Sequence, residues 1–206
     1  VEIKLSVTPD GRFDAAAIAA LWPFLNHIRG QFLWDDTDVP LYIHPATPMK
    51  EVADAYYKDY LADFPGLLTA GWGFGVECAT QAIRIVLSGV LKQYPGTRII
   101  LGHMGEGIPF LLPRLDNRYT RDRGRKRKMM PSEYFKEHFV ITTSGMNYHR
   151  QLLMAVQEIG VERVLFAADW PFEPSKEAVE GVETAPLPDA DKEKIFHTNA
   201  ERVFRL

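Results

Sequence analysis

The sequence predicts an α/β fold in which helices cover both faces of a parallel sheet. Three observations support this prediction: short apolar runs rich in β-branched residues, longer segments of helical periodicity between them, and polar residues directly after several of the runs. Runs that are apolar on both faces are typical of parallel strands, because helices bury both sides of such a sheet. The alternation of strand and helix implies right-handed crossover connections.

Four apolar runs are the main strand candidates, and a fifth, near the amino terminus, alternates polar and apolar residues. The predicted strands are residues 41–43, 98–101, 139–142, 164–167 and 2–7. Helical periodicity predicts helices over 49–63, 77–94, 149–159 and 189–204. Proline-glycine pairs or a glycine end the first three of these segments, as expected for helix stops. No internal repeat or linker interrupts the pattern, so we predict one domain over residues 1–206.

Composition and charge exclude several classes of protein. Of the 206 residues, 46% are apolar and 25% are charged, which are ordinary values for a globular domain. A net charge of -3 argues against a dedicated nucleic-acid-binding domain, which would be basic. No apolar run reaches the roughly 18 residues of a membrane span, so neither nucleic acid nor membrane is an expected partner. The single cysteine, Cys78, cannot form an internal disulfide, which favours a cytoplasmic protein.

The chain ends and the charged stretches give further expectations. The start, Val1-Glu2-Ile3-Lys4, has neither a signal-peptide pattern nor an initiator methionine, so we expect residues upstream of Val1. The basic run 121–128 is interpreted as a solvated loop or helix end, with a contact to an anionic partner or a subunit as the alternative. The acidic, proline-containing stretch 173–193 is interpreted as an exposed loop with short helical turns.

Polar residues follow four of the predicted strands and are the candidates for a functional site. They are His44, then His103 and Glu106, then Thr142 to Ser144, and finally Asp169. The carboxyl ends of parallel strands open on one face of a sheet or barrel, so these side chains are expected to converge although they are distant in sequence. Two histidines and two acids placed in this way predict a divalent-metal or acid/base site.

Each candidate also has a structural interpretation. His44 before a proline can simply end a strand, and Thr142, Thr143 and Ser144 are more often turn formers than nucleophiles. Asp169 can cap a helix that begins near Pro171. An acid at the buried end of a core strand is nevertheless costly unless it is paired or binds a metal, which favours a functional Asp169.

Other motifs and residues are less informative. The sequence has no Gly-x-Ser-x-Gly, no glycine-rich phosphate loop and no Gly-x-Gly-x-x-Gly, which argues against a serine triad and against nucleotide binding. Among the remaining histidines we interpret His27, His138 and His197 as structural or exposed, and for His149, which follows the turn after the third clear strand, approach to the site is the less favoured alternative. Three aromatic residues, Trp72, Trp170 and Phe172, have two interpretations: they line an aromatic pocket, or they belong to the core.

Taken together, five segments resemble the metal-dependent decarboxylase branch of the amidohydrolase superfamily. These segments are residues 43–45, 99–109, 114–116, 141–145 and 166–173, of which the last reads Phe-Ala-Ala-Asp-Trp-Pro-Phe-Glu. The branch includes γ-resorcylate, 2,3-dihydroxybenzoate and salicylate decarboxylases, and the aminocarboxymuconate semialdehyde decarboxylases are related to it. The resemblance covers residues from about 36 to 206, with all segments in the same order.

The resemblance implies a (β/α)8 TIM barrel with one divalent metal ion, Zn²⁺ or Mn²⁺, at the carboxyl ends of the strands. By resemblance, His44 and Asp169 match metal ligands, His103 matches the active-site histidine, and Glu106 matches the carboxylate that orients it. The first strand of the family carries a Glu-x-His or His-x-His pair, which this sequence lacks. We therefore expect a partial barrel without the first strands and an incomplete metal site within these residues.

The activity implied is non-oxidative decarboxylation of a hydroxylated aromatic carboxylic acid. Asp169 would protonate the ring carbon, His103 and Glu106 would assist, and the aromatic rings of Trp170 and Phe172 would hold the flat substrate. No organic cofactor is expected, and by analogy the protein is a homo-oligomer. Two alternatives stay open: a metal-dependent hydrolase or hydratase that uses metal-bound water, with His103 as the base, and a non-catalytic truncated barrel that serves only in assembly.

Overall fold

A sheet of four short parallel strands organises the part of the chain that the computed structural model describes, residues 40–123 and 129–206. The strands are β1 (Leu41–Ile43), β2 (Ile99–Leu101), β3 (Phe139–Thr142) and β4 (Val164–Leu165). Each strand pairs with the next one in sequence. An all-parallel sheet whose strand order follows the sequence is the wall of a β/α barrel, whereas a doubly wound sheet reverses its order. The α/β, TIM-barrel-type prediction is confirmed, and the strand predicted over 2–7 lies outside the described residues.

The register of the sheet aligns the carboxyl ends of the first three strands. Ile43 pairs with Leu101, and Leu101 pairs with Ile141, so these three residues form one row across the sheet. Whatever follows them in sequence therefore leaves the sheet at the same edge. The interstrand ladder continues past β3, because the amide of Thr143 donates a hydrogen bond to the carbonyl of Leu165.

Nine α-helical segments connect or follow the strands within the described ranges. They are α1 (Lys50–Tyr56), α2 (Gly73–Ser88), α3 (Val90–Gln93), α4 (Ile108–Arg123), α5 (Pro131–His138), α6 (His149–Ile159), α7 (Ser175–Glu183), α8 (Asp189–Glu193) and α9 (Asn199–Phe204). A π-helical turn, Lys194–Thr198, joins α8 to α9. Single 3₁₀ turns lie at Lys58–Tyr60, Pro65–Leu67, His103–Gly105 and Val161–Arg163.

Several predicted boundaries differ from the observed ones. The helix predicted over 149–159 is confirmed at both ends, whereas that over 77–94 begins at Gly73 and is interrupted at Gly89, whose φ is 85°. The helix predicted over 49–63 ends at Tyr56. The interpretation of 173–193 as a loop with short turns is wrong, because α7 is nine residues long and buries Ala178 and Val182, which are spaced one helical turn apart.

The strand predicted over 164–167 ends after two residues. The amide of Phe166 donates to the carbonyl of Ile195, 2.8 Å away, and so leaves the sheet.

The basic run begins at Arg121, which is exposed near the end of α4, and residues 124–128 lie outside the described ranges.

Two compact units make up the chain. Of the described residues, the first unit contains His44–Glu77, and the second contains those of Pro40–Ile43 and Cys78–Leu206. Within the described part of the first unit, Tyr57 is buried and packs edge-on against Tyr56, with ring centroids 6.2 Å apart. The prediction of one domain over residues 1–206 stays a prediction.

In the second unit, alternate strand positions enter two apolar clusters. The larger cluster joins one face of the sheet to α4 and α6 and includes Leu101, Leu112, Phe135, Phe139, Ile141 and Leu152. The smaller cluster consists of Ile100, Val140, Leu165 and Val203. Strands that are buried on both faces need apolar residues at successive positions, which explains their continuous apolar runs.

Within residues 40–123 and 129–206, we find no helix with the length and hydrophobicity needed to cross a bilayer. The cytoplasmic location expected from the cysteine content stays a prediction.

Candidate active site

Three of the predicted site residues lie together in the second unit, beyond the carboxyl ends of β2 and β4. His103 and Glu106 follow β2, and Asp169 follows β4. The imidazole Nδ1 of His103 lies 2.7 Å from Oε1 of Glu106, and Nε2 of the same ring lies 3.6 Å from Oδ2 of Asp169. One histidine is therefore flanked by two carboxylates, as the position of these residues after parallel strands predicted.

The two carboxylates differ in their access to solvent. The Glu106 side chain is 5% exposed and that of Asp169 is 33% exposed. A carboxylate only accepts hydrogen bonds, so Nδ1 of His103 carries the proton of the short contact to Glu106. This fixes the tautomer and the direction of the ring, as second-shell carboxylates do for histidines at metal sites. Of the two carboxylates, Asp169 is therefore the one that remains accessible to a ligand.

The environment of His103 favours the protonated ring. The hydrogen bond that the ring donates to Glu106 raises the pKa of His103 above its ordinary value, and the negative charges of Glu106 and Asp169 act in the same direction. Burial of the imidazole acts against them by disfavouring the charged form.

Left-handed backbone conformations are concentrated in this cluster. His103, Met104, Glu106 and Asp169 have φ values of 47°, 55°, 55° and 69°. Each costs a residue with a side chain roughly 1–2 kcal/mol, and such conformations gather at sites whose geometry is functionally constrained. Hydrogen bonds hold the turns: the Gly105 amide donates to the Gly102 carbonyl at 2.7 Å, and the Phe172 and Glu173 amides donate to the Asp169 carbonyl.

Gly145 lies against His103 and Asp169. Its φ is 63°, and a Cβ atom on it would lie 3.2 Å from Cδ2 of His103 and 3.4 Å from Oδ2 of Asp169. A side chain would be strained by the backbone and would press on the ring. The glycine of the turn after β3 therefore allows the histidine and the aspartate to approach each other, a role that the sequence analysis did not assign.

The hydroxyl residues after β3 have distinct contacts. The Thr143 hydroxyl bonds to both the amide and the carbonyl of Ala167 and so ties the end of β3 to that of β4, which fits the turn-forming interpretation. The Ser144 hydroxyl accepts a hydrogen bond from the backbone amide of His103 at 3.2 Å. No spacing pattern in the sequence indicates this contact, because its two residues are far apart along the chain.

The other predicted site residues are not placed in this trio. His44 directly follows β1 and belongs to the first unit, where its exposed ring has Nδ1 3.0 Å from the carbonyl oxygen of Pro45. Trp170 and Phe172 are 75% and 83% exposed, so neither belongs to the core. Their roles as metal ligand and as substrate-binding residues stay predictions.

The remaining described histidines have structural contacts. His138 is buried with Nδ1 2.9 Å from the Thr97 carbonyl oxygen, and His197 pairs with Glu193 and Glu201 on the surface, as expected. Nε2 of His149 hydrogen-bonds to the Thr184 hydroxyl at 3.0 Å. His27 lies outside the described residues.

With the fold and the trio established, comparison with known proteins defines the class. A family model described as amidohydrolase matches residues 8–206, and the chain belongs to this family.

Two curated proteins that are similar to this chain are γ-resorcylate decarboxylases. γ-Resorcylate decarboxylase of Polaromonas sp. (strain JS666) is 39% identical over 194 residues, which are 92% of this chain and 56% of that protein. γ-Resorcylate decarboxylase of Rhodococcus jostii (strain RHA1) is 41% identical over 174 residues, which are 82% of this chain and 51% of that protein. The chain thus spans about half the length of these curated relatives.

Two solved structures of decarboxylases are also similar to this chain. A dihydroxybenzoic acid decarboxylase from Polaromonas sp. JS666, with bound manganese and the inhibitor 2-nitroresorcinol, superposes with a TM-score of 0.78 at 37% identity over 91% of this chain and 54% of that one. The 5-carboxyvanillate decarboxylase of Sphingomonas paucimobilis gives a TM-score of 0.74 at 42% identity over 82% of this chain and 50% of that one.

Proposed function

We propose that the protein is a metal-dependent carboxy-lyase that removes CO₂ non-oxidatively from a hydroxylated aromatic carboxylic acid. The observation that carries this proposal is the trio of His103, Glu106 and Asp169 beyond the ends of β2 and β4. The similarity to γ-resorcylate and 5-carboxyvanillate decarboxylases supports the reaction class and the substrate class.

The metal-ligating atoms of the trio could supply part of the coordination shell of one divalent ion. Asp169 offers a partly exposed carboxylate beside an imidazole, whereas residues 40–123 and 129–206 contain no group of three or more His, Cys, Asp or Glu side chains placed to hold a metal. We propose Asp169 and His44 as ligands, with further ligands from outside the described residues. Manganese bound in the Polaromonas structure favours Mn²⁺ over Zn²⁺. When bound, the ion supplies a Lewis acid for the substrate carboxylate and the adjacent phenol oxygen.

In this proposal the carboxyl group of Asp169 delivers a proton to the ring carbon that bears the carboxylate. A pair of ring π electrons forms the new C–H bond, and the ring loses its aromaticity. The bond to the carboxylate then breaks, its electron pair returns to the ring, and CO₂ leaves, so that the substrate exchanges CO₂ for one proton. General acid catalysis of this kind typically contributes about 10²–10⁴-fold to the rate.

His103 assists Asp169 through the opposite edge of its ring. Because Glu106 holds Nδ1, Nε2 is the atom directed at Asp169, and a proton on Nε2 stabilises the carboxylate that forms when the acid has been used. Their separation of 3.6 Å exceeds a hydrogen bond, and such contacts often tighten in a substrate complex. The exposed rings of Trp170 and Phe172, next to Asp169 in sequence, are proposed to contact the flat substrate.

Metal content and CO₂ release test the proposal on the full-length protein. We expect one divalent ion per chain and CO₂ from a 2,6-dihydroxybenzoate probe, with both lost in His44→Ala and Asp169→Asn. His197→Ala is the control, because this exposed histidine pairs with carboxylates on the surface. A metal-containing protein that hydrolyses amide or ester bonds but releases no CO₂ would be a hydrolase. A protein that takes up no metal under any loading condition would favour the non-catalytic barrel. The same preparation shows whether the expected homo-oligomer forms.

A further inference from the structure

A chain of hydroxyl groups lies beside the candidate active site, in the second unit. The Tyr42 hydroxyl of β1 lies 3.4 Å from Oγ1 of Thr142 at the end of β3, and Oγ1 of Thr142 lies 2.7 Å from Oγ of Ser144. Ser144 Oγ in turn accepts the hydrogen bond from the amide of His103. Side chains from two strands and the following turn thus form one connected path that ends at the backbone of the active-site histidine.

The path surrounds Gly102, the residue before His103. A Cβ atom placed on Gly102 would lie 3.4 Å from Ser144 Oγ, 3.7 Å from the Tyr42 hydroxyl oxygen and 4.0 Å from Thr142 Oγ1. All three oxygens therefore face the backbone at the carboxyl end of β2. Thr142 and Ser144 are buried, with 3% and 4% of their surface exposed, so water does not readily replace their hydrogen bonds.

The amide that donates to Ser144 belongs to a residue with a strained backbone. His103 adopts a left-handed conformation, with φ 47°, that a residue with a side chain rarely takes. The direction of its ring follows from that backbone, because Cβ leaves the same Cα atom. Ser144 Oγ accepts the hydrogen bond of the His103 amide in this conformation.

From this geometry we infer that Ser144, held by Thr142, is a positioning residue that keeps the His103 ring directed at Asp169. The expected loss of activity rests on the proposed function. The orientation of the His103 ring by Ser144 does not depend on that function. The shorter of the two side-chain hydrogen bonds should matter more for the position of Ser144. Its 2.7 Å contact with Thr142 is the main one, and the 3.4 Å contact of Tyr42 with Thr142 is weaker.

The kinetic test uses the full-length, metal-loaded protein. Ser144→Ala removes the acceptor, and we expect kcat for the hydroxybenzoate to fall about 10–100-fold, the loss that a misplacement of the order of 1 Å produces. KM should change less than about threefold, since the substrate contacts remain. Thr142→Val should give a smaller loss, Thr142→Ser should restore activity because it keeps the hydroxyl, and Tyr42→Phe should have the smallest effect.

Ser132→Ala is the matched control. Its hydroxyl is also partly buried and bonds to Asp116, at the start of α5 and outside the site, so it can lower stability without changing kcat.

Hydrogen exchange separates this inference from the proposed function. In Ser144→Ala the His103 amide and the Nδ1 proton facing Glu106 should exchange at least about tenfold faster than in the parent, at equal overall stability by thermal unfolding. Unchanged exchange overturns the inference, and so does faster exchange with an unchanged kcat. If the parent releases no CO₂ from any hydroxybenzoate, the proposed function fails. The exchange of the Nδ1 proton then decides alone: faster exchange supports positioning, and unchanged exchange contradicts it.

Discussion

The His103 ring lies between two carboxylates of different character: Nδ1 is 2.7 Å from the buried Glu106, and Nε2 is 3.6 Å from the more exposed Asp169. Glu106 has little room for another partner and orients the ring. Asp169 combines access to solvent with a contact to a proton-carrying ring. This asymmetry assigns the orienting role to one acid and the ligand-facing role to the other.

Replacing the ligand-facing acid should abolish most of the activity. We expect Asp169→Asn to lower kcat by about 10²–10⁴-fold or more, because the amide cannot deliver a proton and replaces a carboxylate that we propose as a metal ligand. Steady-state CO₂ release measures this. Asp189→Asn, on an exposed carboxylate of α8, should leave kcat unchanged. An Asp169→Asn protein with more than half the parental kcat would rule out Asp169 as the acid.

Replacing the orienting acid should lower the pKa of His103. Glu106→Gln removes the hydrogen bond and the charge that raise this pKa in the metal-free protein, whereas burial, which lowers it, remains. NMR titration of the His103 ring after chelation measures the shift. A pKa that is higher in the folded than in the unfolded state stabilises the folded protein. This stabilisation is complete below the unfolded-state pKa of about 6.5 and is lost as the pH rises through the folded-state pKa. The stability difference between parent and variant should therefore shrink with rising pH, and an equal or higher pKa in the variant would contradict the assignment.

Gly145→Ala should impair catalysis beyond its effect on stability. The positive φ costs roughly 1–2 kcal/mol for alanine, and the new methyl would lie 3.2 Å from Cδ2 of His103. We expect kcat to fall about tenfold or more, as for small misplacements of catalytic groups. Gly89→Ala is a matched control, since φ is 85° and no atom lies within 4 Å of a Cβ there. Equal kcat in the two variants, at equal folded fraction, would show that the space beside His103 is unimportant.

Asn199→Ala should destabilise the fold without altering the chemistry. The buried Asn199 amide group donates to the carbonyls of Val161 and Val164 at 2.8 and 2.9 Å, and it anchors α9 to the start of β4. Both carbonyls would lose a hydrogen bond, and that of Val161 would keep the backbone amide of Val164 as a donor, so we expect a loss of about 1–3 kcal/mol in all. Urea unfolding measures the loss, and Thr198→Ala, on the exposed neighbour, should have little effect. A variant as stable as the parent would contradict this role.

The fold was predictable where a local pattern coincided with a stop signal. Helix α6 was predicted at both ends, because its apolar spacing ends at Gly160. Helix α4 was not, because Pro113 lies within it and a proline usually interrupts helical periodicity. Helix α7 was missed because Ala178 and Val182 are its fully buried positions, and the rest of the segment has the composition of a loop.

The site was predictable to the extent that strand ends converge. His103, Glu106 and Asp169 were expected to meet because parallel strands present their carboxyl ends at one edge, and they do. The contacts of Gly145 and Ser144 with His103 depend on the conformation of a turn and on the hydrogen bonding of one amide. Neither leaves a periodic signal in the sequence, so only the structure reveals them.

Isotope incorporation tests the central claim most directly. The full-length, manganese-loaded protein is incubated with 2,6-dihydroxybenzoate in D₂O, and the product is examined by NMR. We predict one deuterium at the carbon that carried the carboxylate, formed in step with CO₂ release and lost in Asp169→Asn. A product without deuterium at that carbon, or unchanged turnover in Asp169→Asn, would contradict protonation of the ring by the acid beside His103.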